Sequence, residues 1–270
     1  MSSERRIEFT KDNIDIYLKE VAKEYRKLVG KGVPAELILI GGASVLINYG
    51  FRNMTTDIDA LILASSSMKD AINRVGDRFD LPVDWLNADF KSTDSYTPKL
   101  VQFSAYYKTY YNILSIRTVA AEYLIAMKLR SGRPYKSDLS DILGILAEHE
   151  KRETPITMEQ IEKAVKDLYG DWSSLSEMSQ AFIENVMADG RFEQLYEQVT
   201  FGEQETKELL IQFEKDYPGV TKGTNVNGIA ENLQKKSDKA SILAQLQQKK
   251  IEAANIATEK KSQKRTDLER

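Results

Sequence analysis

Between Leu37 and Leu63 the chain reads LILIGGASVLINYGFRNMTTDIDALIL: two apolar runs, a Gly-Gly pair closing the first, and two carboxylates one residue apart opening the second. No other stretch restricts the fold as much. Residues 36–40 are short, apolar and partly β-branched, which fits a strand buried on both faces. Gly41 and Gly42 interrupt it, residues 43–49 carry helical spacing that Gly50 ends, and residues 57–63 read as a second strand. Asp57 and Asp59 sit inside this apolar setting. An unpaired buried carboxylate is costly, so the pattern calls for a cation or a donor beside them.

The flanking sequence extends the layout. Residues 10–29 place Ile14, Tyr17, Leu18, Val21, Tyr25 and Leu28 at helical spacing before Gly30, Gly32 and Pro34. Ser65, Ser66 and Ser67 are expected to cap a helix over 68–79. Strands are expected over 81–86, near 100–104 and near 112–116, the last two joined by a tyrosine-rich hairpin. From Thr118 the spacing turns helical, over 119–130, 137–148, 158–169 and 176–187. Beyond Pro218 the chain is polar and Lys-rich, either a marginal helix or a disordered tail. Strands first and helices after is an α+β signature. The expected organisation is a small mixed sheet with an N-terminal helix over 1–117, a helical domain over 118–218 and a polar tail over 219–270.

Composition narrows the chemistry. At 270 residues, 41% hydrophobic and 29% charged, the chain suits a sizeable core, and a net charge of −3 gives no global pull toward nucleic acid or anionic membrane. The absence of cysteine excludes disulfides and thiolate metal sites. The one histidine, His149, excludes His-rich zinc sites, and in LAEHEKRE it reads as a solvated residue near a helix end. The start, MSSERRIEF, lacks the apolar segment of a secretory signal, and the longest apolar run is too short and glycine-broken to span a bilayer. The expectation is a cytoplasmic protein with no membrane partner. Catalysis would have to run on carboxylates, Lys, Arg and bound metal.

On a strand, residues i and i+2 share a face about 6.5 to 7 Å apart. Asp57 and Asp59 therefore point the same way and suit joint binding of Mg²⁺ (or Mn²⁺), the arrangement used in phosphoryl and nucleotidyl transfer. The Gly41-Gly42 turn supplies the complement. Free N–H groups at the start of the following helix favour anions, glycine admits a phosphate closely, and Ser44 adds a hydroxyl. A Gly-Gly turn also serves plain strand–helix packing, and Asp-x-Asp occurs on exposed strands. The joint arrangement is what carries weight.

That arrangement resembles the nucleotidyltransferase superfamily typified by DNA polymerase beta, the aminoglycoside nucleotidyltransferases and the minimal nucleotidyltransferases. Within it the chain looks most like the AbiEii-like bacterial proteins, in which the glycine motif is followed by an Arg-x-Thr-x-Asp-x-Asp type segment. Arg52, Thr55, Thr56, Asp57 and Asp59 match it loosely. A second block, EYLIAMKLRSGRPYKSDLSDILGIL, carries Lys128, Arg133, Asp138 and Asp141. The resemblance covers roughly residues 7–187. It implies transfer of a nucleoside monophosphate from an NTP to an acceptor hydroxyl, on a tRNA or a protein in a toxin–antitoxin setting with a cognate partner, or on an aminoglycoside-like small molecule. The implied metal ligands are Asp57, Asp59 and a third carboxylate on a neighbouring strand. Asp84 is the candidate, with Asp89 and Asp94 as competitors and a solvent-facing edge position as the plain alternative. Gly41, Gly42, Ser44, Arg52, Thr56, Lys128 and Arg133 are the implied nucleotide contacts.

Lys128 sits among apolar neighbours, either snorkelling or reaching for phosphate. Asp138 and Asp141 fall in a helix first turn, stabilised there by the dipole or in contact with Lys128, Arg133 or the acceptor. Tyr106, Tyr107, Tyr110 and Tyr111, with Lys108, either pack across strands or clamp bases. Two rival functions stand beside the enzyme: a non-catalytic antitoxin or regulatory module of the same fold, and an RNA-binding protein acting through its basic tail.

Overall fold

The computed structural model describes residues 7–133, 135–222 and 225–236. They divide into two units. The first runs to Arg133 and resumes from Ser137 to Thr200, and the second takes residues 135–136 and the chain from Phe201 onward.

Five strands, β1 (Ala35–Leu39), β2 (Ile58–Leu63), β3 (Leu86–Asn87), β4 (Ser104–Tyr110) and β5 (Leu114–Val119), form one mixed sheet in the order β3-β2-β1-β5-β4. β1 runs antiparallel to β2 and parallel to β5. Eight α-helices surround and follow it: α1 (Lys11–Val29), α2 (Gly41–Asn48), α3 (Ser67–Phe79), α4 (Ala121–Ser131), α5 (Asp138–Lys151), α6 (Met158–Tyr169), α7 (Glu177–Asp189) and α8 (Phe192–Asp216). The mixed α+β character expected from the sequence is the one observed.

The two-residue period of β1 separates two cores. Leu37 and Leu39 join Ile14, Leu18 and Val21 of α1 and Met68 and Val75 of α3. Ile38 joins the opposite cluster, with Leu124 and Ile125 of α4, Ile142 and Ile145 of α5, and Ile161 and Val165 of α6. The sheet is thus covered on both faces, which is why β1 is apolar at consecutive positions. Each fully buried side chain of this size contributes about 1.5–3 kcal/mol.

Helix ends follow local chemistry. Thr10 and Thr157 form capping boxes with Asn13 and Gln160, and the Ser176 hydroxyl accepts from Ser179 N–H at 3.1 Å. The serine run expected to cap α3 does not do so: Ser66 is itself helical, at φ −56° and ψ −26°, and makes no side-chain cap bond, and none forms at Ser137 either.

Two expected strands are corrected. The strand expected over 81–86 is reduced to Leu86–Asn87, because residues 83–84 turn and Asp84 takes a left-handed φ of 60°. The strand expected near 100–104 is a 3-10 helix, Pro98–Phe103, opened by the Thr97 hydroxyl accepting from Lys99 N–H at 3.4 Å. The strand starts only at Ser104, so Tyr106, Tyr107 and Tyr110 lie on β4, and Tyr111 and Asn112, both at positive φ, make the hairpin turn. The long helix α8 has no counterpart among the expected elements. In the second unit, Leu210 and Ala230 are buried and residues 226–236 are helical. Of the tail expected over 219–270, residues 223–224 and 237–270 lie outside the described residues.

Candidate active site

The β1–β2 ladder delivers the glycine turn to the acidic strand. Leu39 pairs with Ala60, and one step on, Ile40 N–H donates to Asp59 C=O at 2.9 Å. The chain then enters α2 at Gly41, whose φ of 55° is left-handed and favours glycine. A side chain on Gly41 would start 3.7 Å from Asp59 Oδ2, so this carboxylate lies directly beside the turn. Asp59 is half-buried, while Asp57, just ahead of β2, and Thr56 are exposed.

No acidic residue lies in the first turn of α2, and no side chain caps its start. Ser44 N–H closes the first helical bond onto Ile40 C=O at 3.3 Å, and the amides before it have no partner within the helix. Ser44 itself is fully buried, and its hydroxyl oxygen has no hydrogen-bond partner among the described residues. A polar atom left in this state costs about 1–3 kcal/mol, and such groups in native proteins call for an explanation.

Gly42 is occupied from the other side. A side chain there would meet Thr55 Oγ1 at 2.7 Å and Arg52 Nη2 at 2.9 Å. Thr55 is buried and held by a reciprocal backbone pair with Phe9, at 2.8 and 2.9 Å. Glycine at this position is therefore a packing requirement, and the Arg52 guanidinium lies against the turn.

From Arg52 a line of alternating charges runs into the helices. Arg52 Nε donates to Met54 C=O at 3.0 Å, and its Nη1 pairs with Asp141 Oδ2. The same oxygen accepts from Lys128 Nζ at 2.6 Å, and Lys128 also reaches Asp138 Oδ1 at 3.2 Å. Asp138 is gripped in turn by the Arg133 fork, Nε at 2.8 Å and Nη2 at 3.3 Å. Lys128, Asp138 and Asp141 are all buried. Burial alone would lower the Lys128 ammonium, but Asp141 and Asp138 outweigh it and hold it above its ordinary value. Burial likewise works to raise the Asp138 carboxyl, and Lys128 and Arg133 overcome it, holding it well below the usual carboxylate range. Lys128 is ion-paired with two carboxylates, and Asp138 and Asp141 take the ion-pairing alternative.

The third acid is placed differently from expectation. Asp84 sits exposed on the turn before β3, away from any strand position. The residue in register with Asp59 across the parallel β2–β3 pair is Asn87. Its Nδ2 donates to Asp84 C=O at 3.0 Å and its Oδ1 accepts from Asp89 N–H at 2.8 Å. Asp89 opens a short 3-10 helix, Asp89–Ser92, and both it and Asp94 are exposed. Among the described residues no group of three or more Asp, Glu or His side chains is placed to hold a metal ion. Asn87 is not among the candidates read from the sequence. Its signal was slight: an amide two residues after the only tryptophan of the first half.

The other candidates lie elsewhere. Tyr110 is buried, with its hydroxyl on Asp15, and Lys108 Nζ pairs with Asp15 at 2.9 Å, which ties the hairpin to α1. Tyr106 stays exposed. His149 is half-buried, its Nε2 3.1 Å from the Tyr49 hydroxyl and its Nδ1 3.1 Å from Thr154 C=O. No helix of the described residues is long and apolar enough to cross a membrane.

Residues 17–184 match a family model described as a nucleotidyltransferase of unknown function (DUF6036), which takes in the glycine turn, the acidic strand and the charge line. Comparison with curated proteins and with solved structures gave no match.

Proposed function

The chain belongs to this nucleotidyltransferase family, and on that premise we propose that it moves a nucleoside monophosphate from a nucleoside triphosphate to an acceptor hydroxyl. The observation that carries the proposal is the placement of Asp59 Oδ2 at the foot of the left-handed Gly41 turn. A polyphosphate seated on the α2 amides would share its metal with that carboxylate. Gly41 and Gly42 would supply N–H donors, and the orphaned Ser44 hydroxyl an additional one. Arg52, against Gly42, would add a charge-assisted donor.

Two carboxylates, Asp57 and Asp59, suit Mg²⁺ or Mn²⁺, which typically takes one or two protein carboxylates and completes its shell with substrate phosphates and water. Such an ion, when bound, neutralises charge on the leaving pyrophosphate. Asp84 has no part in this reading, and neither has Lys128. The pattern running from Arg52 to Asp59 and the Lys128–Arg133 spacing support an AbiEii-like toxin or antitoxin working in the cytoplasm, with a tRNA or a protein as acceptor.

A second reading has its own observation. Asn87 occupies the register position opposite Asp59, where an acid would complete a triad. The fold would then serve as a binding module that has lost turnover. Pyrophosphate release from each of the four NTPs with Mg²⁺, in the presence of host-cell tRNA and protein as acceptors, separates the two. Release by the wild type, abolished in an Asp57→Asn/Asp59→Asn variant, supports the enzyme. Nucleotide binding without release supports the module.

A further inference from the structure

Arg52 makes only part of the contact set its fork allows. Nε is used by Met54 C=O and Nη1 by Asp141, while Nη2 has no hydrogen-bond partner among the described residues and lies 2.9 Å from where a Gly42 side chain would begin. The Arg52 side chain is 21% exposed, whereas those of Asp141 and Lys128 are 3% and 6% exposed. The guanidinium therefore has a buried edge that is fixed and an outer edge that faces the glycine turn.

The fixing is unusually firm. Asp141 Oδ2 is itself pinned by Lys128, Lys128 by Asp138, and Asp138 by both nitrogens of the Arg133 fork. One residue earlier, the Phe51 ring lies so close to Gly144 of α5 that a side chain there would sit 2.5 Å from its Cε2, which sets the Arg52 backbone on the same helix. An arginine with five donors and a planar fork loses little entropy on binding an anion when one edge is already held.

We infer that Asp141, backed by Lys128 and Asp138, is a positioning residue that orients Arg52 so that its free Nη2 edge meets the β- or γ-phosphate of a triphosphate seated at Gly41–Gly42. The charge line then serves substrate binding without touching substrate. This rests on the nucleotidyl-transfer reading and deepens it: the acidic pair of the second block acts through the first block's arginine.

The test measures Kd for inorganic tripolyphosphate and for ATP with Mg²⁺, using the full chain. Arg52→Gln should weaken tripolyphosphate by about tenfold or more, the scale of a lost charge-assisted bond. Arg52→Lys keeps the charge, leaves the buried pairs Lys128–Asp141 and Lys128–Asp138 in place and folds, but one ammonium cannot serve Asp141 and the turn together. It should fall to within about twofold of Arg52→Gln. Asp141→Asn should weaken binding in the wild-type background and add nothing in the Arg52→Gln background, since its effect passes through Arg52.

Wild-type affinity in Arg52→Lys and Arg52→Gln overturns the inference, and so does an Asp141→Asn loss of equal size in both backgrounds. A wild-type chain that binds neither ATP nor tripolyphosphate overturns the functional reading itself. Binding by the wild type that these variants leave unmoved overturns only the role given to Arg52 and Asp141.

Discussion

Asp59 Oδ2 stands 3.7 Å from the point at which a side chain on Gly41 would begin. Alanine at Gly41 would have to hold a φ of 55°, at a cost of about 1–2 kcal/mol, and would put a methyl group beside the carboxylate. Gly41→Ala should lower the unfolding free energy by that amount and weaken ATP binding further than the stability loss explains. Urea denaturation and nucleotide titration on the same sample check both.

Gly42→Ala meets a harder obstacle. Its methyl would fall 2.7 Å from Thr55 Oγ1 and 2.9 Å from Arg52 Nη2, and Thr55 is locked to Phe9. The expected loss is about 1–3 kcal/mol, the range for overpacking, and a thermal melt equal to the wild type would contradict the packing described.

Lys128→Met removes the centre of the buried charge line and leaves Asp138 and Asp141 with one cation each. Breaking a buried pair by deleting one partner costs about 3–5 kcal/mol. A shift under 1 kcal/mol in chemical denaturation would count against it.

The same network sets a pH dependence. The Asp138 carboxyl is depressed in the folded chain, so its stabilisation is complete above the unfolded value of ~3.9 and disappears as pH falls through the lower folded value. The Lys128 ammonium is raised, so its contribution is complete below ~10.4 and disappears as pH rises through the higher folded value. Urea midpoints measured across pH should decline below about pH 4, and Asp138→Asn should flatten part of that decline.

Much of this was legible because it is local. The apolar run of β1, the glycine break, the start of β2 and the helical spacing of α1 and α6 are each fixed by residues within one turn or strand. What escaped depends on partners distant in sequence, or on backbone choices that hydrophobicity does not encode. Residues 98–103 hold Leu100, Val101 and Phe103, a spacing that suits a strand as well as a 3-10 helix, and Pro98 at its start decided for the latter. Asp84 reads as a strand residue between Val83 and Trp85, yet its left-handed φ makes it a turn, and β3 begins two residues later. Lys128 was ambiguous in an apolar helix. Contact with Asp138 and Asp141, 10 and 13 positions on, was one alternative left open, and no periodicity across the α4–α5 connection decides it.

The assignment of acids is directly separable. Asp84→Asn changes an exposed turn residue at a φ that asparagine tolerates, so activity and stability should stay at wild-type levels, within about 0.5 kcal/mol. Asp57 is equally exposed, and Asp57→Asn should leave stability within the same margin while abolishing turnover. Loss of activity in Asp84→Asn would restore the third-acid role expected of it.

Asp57 and Asp59, beside the Gly41 turn, are the residues proposed to drive nucleotidyl transfer. The most direct measurement incubates the full chain with Mg²⁺, host-cell lysate and each NTP labelled at the α-phosphate. The expected result is label moved into RNA or protein by the wild type and none by the Asp57→Asn/Asp59→Asn variant. Equal labelling by both chains, or none by the wild type with any NTP, would contradict the account.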